Sequence, residues 1–151
     1  MRIVPAALVV LFLGCGDASP CASCPALNGT FAMTYQATTI ESPDCASLPA
    51  PAGPASVTIT RSGAELRSTI YGVPGRGVLQ ASADFSIAAA EVPDGGADAG
   101  GQSYVLRGYY LASTRAGADA GSGSIIGKWI THGERGAKIC DAERPFTGIK
   151  Q

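Results

Sequence analysis

Residues 57–70 read VTITRSGAELRSTI, and this stretch decides the fold. Val57 and Ile59 alternate with Thr58 and Thr60, the chain turns at Ser62, Gly63 and Ala64, and Leu66, Ser68 and Ile70 then alternate with Glu65, Arg67 and Thr69. A period of two puts successive side chains on opposite faces of an extended ribbon, and a glycine-bearing break between two such runs makes a β-hairpin.

The same period continues on both sides. Upstream, Phe31, Met33 and Tyr35 alternate with Ala32, Thr34 and Gln36, giving a first strand with one apolar face. Between the two, residues 48–54 (LPAPAGP) lack the donors of a regular ladder and read as a connecting loop. Downstream, Gly72–Gly77 reads as a connection. The run 78–92 then carries Leu79, Ala81, Ala83, Phe85 and Ile87 on one side, as one long bent strand or two. Tyr104–Ser113 and Ser124–His132 are further strands, Gly133–Gly136 is a turn, and Ala137–Lys150 is the last strand. The segment GADAG occurs twice, at 96–100 and 117–121, with a single aspartate in each copy; both read as loop tips, too poor in carboxylates for a calcium loop. No window has apolar positions at three- and four-residue spacing bounded by a cap and a glycine stop. The expected fold is therefore all-β, a small antiparallel meander of seven to eight strands closing into a barrel, with a β-sandwich as the alternative. Closure is favoured because it leaves no exposed edge.

The chain has 151 residues, 46% hydrophobic and 15% charged, which is enough for one core and not for two. Lys plus Arg number 11 against 12 for Asp plus Glu, with no basic block, so nucleic acid is excluded as a partner. At the amino terminus a single charge, Arg2, precedes an apolar run from Ile3 to Leu13. That run suits a signal peptide and is too short for a permanent membrane span. Its end, Phe12-Leu13-Gly14-Cys15, resembles the lipobox of bacterial lipoproteins. The resemblance implies cleavage before Cys15, lipidation of that cysteine, and a protein anchored to a membrane of the bacterial cell envelope. The alternative is cleavage after Ala18 and a secreted or periplasmic soluble protein. The expected organisation is a signal peptide at 1–14, a Cys-rich tether at 15–26 and a β-barrel domain at 27–151.

Leu27-Asn28-Gly29-Thr30-Phe31, opening the first strand, and Pro145-Phe146-Thr147-Gly148, late in the last, resemble the opening and closure of calycin-type barrels, the lipocalin and avidin-like superfamily. Phe31 stands where that family carries tryptophan. The resemblance implies a lipocalin-like domain that binds one small apolar ligand, with Phe31, Met33, Tyr35 and Trp129 as pocket-lining candidates. The alternative is an envelope protein-interaction module, inhibitor-like or scaffold, without a pocket.

Cys21, Cys24, Cys45 and Cys140 remain after either cleavage, an even number that argues for two disulfides in an oxidising compartment. In a closed meander the start of the last strand lies beside the end of the first, which favours Cys45 with Cys140 and leaves Cys21 with Cys24. A crossed pairing of Cys21 or Cys24 with Cys45 is the rival. The Cys21–Cys24 pair lacks the second close pair of a zinc site and the βαβ surroundings of a redox motif. His132 is the sole histidine; no Gly-x-Ser-x-Gly accompanies it, and it reads as an exposed strand end. Glu134, Asp141 and Glu143, with Arg135 and Arg144 between them, read as a solvated mixed-charge turn. The expectation is a non-enzymatic protein with no cofactor and no metal. Metabolic labelling with palmitate tests the anchor: the wild-type chain incorporates label and Cys15→Ala does not.

Overall fold

The computed structural model describes residues 27–37, 40–91, 100–113 and 122–151. Cys15, Cys21, Cys24, the signal peptide and tether, and Asp98 and Asp119 of the GADAG segments lie outside them. Among the described residues nine strands form one sheet: β1 (Gly29–Tyr35), β2 (Ile40–Glu41), β3 (Ser56–Ser62), β4 (Glu65–Ile70), β5 (Val73–Leu79), β6 (Asp84–Ala90), β7 (Gln102–Ala112), β8 (Gly123–Arg135) and β9 (Lys138–Lys150). Their order is β1-β3-β4-β5-β6-β7-β8-β9, and β9 pairs back on β1, so eight antiparallel strands close a barrel. β2 lies outside the ring on β9, pairing Ile40 with Glu143 and Glu41 with Ala142. The fold is the expected all-β barrel.

Closure runs from Phe31 opposite Lys150 to Tyr35 opposite Phe146. The alternating residues that named the strands face the axis: Phe31, Val57, Ile59, Leu66, Ile70, Leu79, Phe85, Ile87, Leu106, Tyr110, Ile125, Trp129 and Phe146 form one buried cluster. Their polar neighbours Thr58, Thr60, Arg67 and Thr69 face out. Apolar inside and polar outside is the reverse of a barrel that crosses a bilayer.

Four details differ from the sequence reading. Gly72–Gly77 is not a connection, because Val73–Leu79 is β5, paired on both sides. Glycine is required there by close approach: a Cβ on Gly77 would stand 1.9 Å from the Ser86 carbonyl oxygen. Ala81 and Ala83 leave the strand face, since a turn separates β5 from β6, with Ala83 at φ 65°. β8 runs through Gly133 to Arg135, so the hairpin turns only at Gly136 and Ala137. β2 and the 3-10 turn at Pro43–Ala46 carry too few residues to show a period.

Cys45, on the 3-10 turn, is bonded to Cys140 near the start of β9, 95 residues away. Around it, the Ile139 N–H donates to Asp44 Oδ2 and the Asp141 N–H to Ser42 Oγ, each at 3.0 Å. The turn is thereby tied to the β8–β9 hairpin. Restricting so long a loop in the unfolded chain stabilises by roughly 4 to 5 kcal/mol on the chain-entropy account. The double variant Cys45→Ala/Cys140→Ala is expected to lose stability of about that size, read as a lower urea midpoint with a steeper slope, because the unfolded chain without the cross-link exposes more surface.

Candidate functional site

Bulky side chains face the axis and pack into one buried cluster, the arrangement by which eight strands can close on a side-chain core. Phe31 and Trp129 are fully buried in the packed core, and Met33 is buried beside them. The Trp129 indole stacks on Tyr104 at 5.6 Å between centroids and meets Tyr71 edge-on at 6.1 Å. Tyr35 is half-buried; its hydroxyl donates to the Pro54 carbonyl at 3.1 Å and its ring lies against Gly53 and Phe146. Burial raises the Tyr35 phenol well above its ordinary value. The Tyr104 phenol is pushed up to about 12 by burial first and then by Glu91. Both hydroxyls therefore act as neutral donors.

A groove of about 780 Å³ lies on the outside of the barrel, across β6, β7, β8 and β9. Register explains its shape. Phe85, Gly108, Gly127 and Phe146 sit abreast on four neighbouring strands, and their backbone forms the floor. Gly108 and Gly127 are each glycine by necessity, since a Cβ on either would stand 2.0 Å from a carbonyl oxygen of the facing strand. One wall is the outward row Ser86, Arg107, Lys128 and Pro145; the other is Asp84, Tyr109, Ile126 and Thr147. Gln80 and Gln36 lie at the two ends.

The charges in the groove are uneven. Lys128 is paired with Glu143 of β9. Arg107, directly opposite Lys128 in the ladder, is exposed and makes no hydrogen bond or ion pair with a described residue. Two cations thus stand abreast beside an apolar wall of Tyr109 and Ile126, which are 53% and 39% exposed. Sequence reading missed this site. Its trace was a glycine in the middle of each of two β-forming runs, the usual mark of close backbone approach.

A second polar constellation surrounds His132. The β8–β9 register sets it opposite Asp141, with Nδ1 2.6 Å from Asp141 Oδ1, while Nε2 is 2.8 Å from Glu134 Oε1. A neutral imidazole has only one N–H, so two carboxylate partners require the imidazolium. The hydrogen bond to Asp141, then that to Glu134, raises its pKa. Ser103 is also abreast of His132 on β7, which sets serine, histidine and aspartate in one row. With both ring nitrogens held by carboxylates, the imidazole has no free nitrogen to accept a serine proton. The acidic residues read as a solvated turn are therefore divided: Glu134 and Asp141 hold His132, Glu143 holds Lys128, and Arg144 lies 3.6 Å from Glu41. Among the described residues no group of three or more His, Cys, Asp or Glu is placed to hold a metal ion.

Because the folded His132 pKa is raised, its stabilisation is complete below the unfolded value of about 6.5 and is lost as pH rises through the folded value. The side chain is 39% exposed, so solvent screening holds the effect to about 0.5 kcal/mol. Wild type should lose that margin over His132→Gln between about pH 6.5 and the alkaline side of the folded pKa, measured by urea midpoints across pH. Comparison of the chain with protein-family models, curated proteins and solved structures found no match, so geometry carries the functional reading.

Proposed function

We propose that the chain is an exported, lipid-anchored lipoprotein of the bacterial cell envelope that binds a small amphipathic anion, without catalysis, in the groove across β6–β9. The observation that carries this reading is the pairing of a cation that has no partner among the described residues with an apolar wall: Arg107 and Lys128 abreast, Tyr109 and Ile126 beside them. An apolar body on the wall loses water, and an anionic head between the two cations gains charge-assisted hydrogen bonds. Export is supported by the Cys45–Cys140 disulfide, a bond of oxidising compartments, and anchoring by the lipobox-like end of the leader. The packed interior moves the binding surface from the barrel axis, where a lipocalin-like protein holds its ligand, to the outer wall.

Titration with anilinonaphthalene sulfonate, an aromatic anion whose emission rises in apolar surroundings, tests the site. Saturable one-to-one binding is expected, weakened about tenfold or more in Arg107→Gln, the loss of one hydrogen bond to a charged group. Binding that does not saturate, or is equal in the variant, overturns the groove reading. Absence of binding together with capture of an envelope protein that Arg107→Gln fails to capture favours a protein-interaction module instead.

A further inference from the structure

The barrel has two unlike ends. At one lie the disulfide, the 3-10 turn and the His132 cluster. The other gathers the start of β1, the turn between β3 and β4, the end of β7, the start of β8 and the end of β9. On its outer face four large apolar side chains are exposed side by side: Tyr109 at 53%, Leu111 at 49%, Ile126 at 39% and Ile149 at 64%. Register makes them one patch. Tyr109 is abreast of Ile126, Leu111 and Ile149 both flank Ser124, and the two rows are adjacent.

The chain reaches the barrel at this same end. Leu27, fully buried, leads into β1, whose Ala32 is abreast of Ile149, and the Gln151 N–H donates to the Thr30 carbonyl. Only the eleven residues 16–26 separate Cys15 from Leu27. At full extension they span about 40 Å, and any shorter path brings this end of the barrel nearer the anchored cysteine. The opposite end lies a strand length further from this entry point, so the tether reaches it only when nearly fully extended.

We propose that Tyr109, Leu111, Ile126 and Ile149 form a membrane-docking face that seats the barrel on the lipid bilayer holding its own anchor. This rests on the lipid-anchor reading above and adds an orientation to it. A contiguous apolar patch that no described element covers marks a contact surface, and tyrosine with aliphatic side chains suits the boundary between headgroups and acyl chains. The acyl chains supply attachment and the patch sets which face meets the lipid. The groove shares its Tyr109 and Ile126 wall with this face, so it opens at the membrane surface, where amphipathic anions concentrate.

The test places tryptophan on the face without touching the groove. Leu111→Trp and Ile149→Trp are made in the full chain, with Thr69→Trp as a control on β4, the strand opposite β8 in the ring. Each protein is reconstituted in phosphatidylethanolamine and phosphatidylglycerol vesicles whose acyl chains are brominated, and buried Trp129 gives the same background throughout. Loss of the added emission at positions 111 and 149, with Thr69→Trp unchanged, is the expected result. Full emission at 111 and 149 in a chain that carries lipid overturns the docking face alone, as does equal loss at all three positions. Full emission in a chain without lipid overturns both readings, whereas loss at 111 and 149 in a chain without lipid overturns the anchor and sustains the face. A second copy of the chain seated on the patch would shield both tryptophans and is counted with the overturning results.

Discussion

The pairing of β1 with β9 is the constraint on which the rest depends. Five residue pairs, from Phe31–Lys150 to Tyr35–Phe146, turn an eight-stranded ribbon into a ring. Without them the sheet would keep two open edges, each a row of unpaired amide groups, and the inward rows would lack a wall to pack against. Everything at the hairpin end reinforces this seam: β2 extends the pairing along β9 past the end of β1, and the Cys45–Cys140 bond fixes the turn that follows it. Tyr35 adds a third tie, clamping the proline-rich loop through Gly53 and the Pro54 carbonyl.

Once the ring is closed, the size of the inward residues determines where binding can occur. Eight strands enclose a space that bulky side chains fill, and Trp129, Phe31, Leu66, Ile87 and Leu106 fill it. Trp129 does so with its Nε1 lacking an acceptor among the described residues, an arrangement that favours the stacked contact with Tyr104 over a hydrogen bond. With bulky side chains turned to the axis, the groove lies on the outer surface. There the Gly108–Gly127 pair leaves a bare floor between two rows of side chains, and the outward residues set the chemistry of the groove.

The two ends also differ in what they ask of water. Around the hairpin, Ser42 donates to the Ile139 carbonyl, the Asp44 carboxylate accepts from the Ile139 N–H, and Asp141 and Glu134 accept from the His132 ring, in an exposed, charged setting. At the opposite end the outer face of β7–β9 is apolar beside the point where the chain comes in. That difference gives the architecture a direction: the disulfide and the His132 cluster mark one end, where Ile40, Tyr71 and Ile139 are exposed singly, and the contiguous Tyr109, Leu111, Ile126 and Ile149 patch lies toward the end where Leu27 leads into β1.

Much of the fold was legible in the sequence, because alternation is a local property: Val57, Ile59, Leu66 and Ile70 declare their face by their spacing alone. The Cys45–Cys140 pairing was expected from closure; the seam runs the end of the first strand toward the start of the last, and β2, pairing on with β9, carries Cys45 the rest of the way. The groove was not legible, because it arises from which residues of different strands come abreast. Arg107 and Lys128 are 21 positions apart and become neighbours only through register. His132 reads as an isolated strand end when the turn is placed at Gly133–Gly136; with the turn at Gly136 and Ala137, the hairpin sets Asp141 opposite it. Gly75 and Gly77 misled in the other direction, since glycine reads as a turn locally and is demanded here by a facing backbone. Sequence by itself determined the period, the inward residues and the strand sense. Only tertiary structure decided the register between distant strands, and with it every site where two side chains act together, because such contacts depend on hydrogen bonds across the sheet and not on distance along the chain.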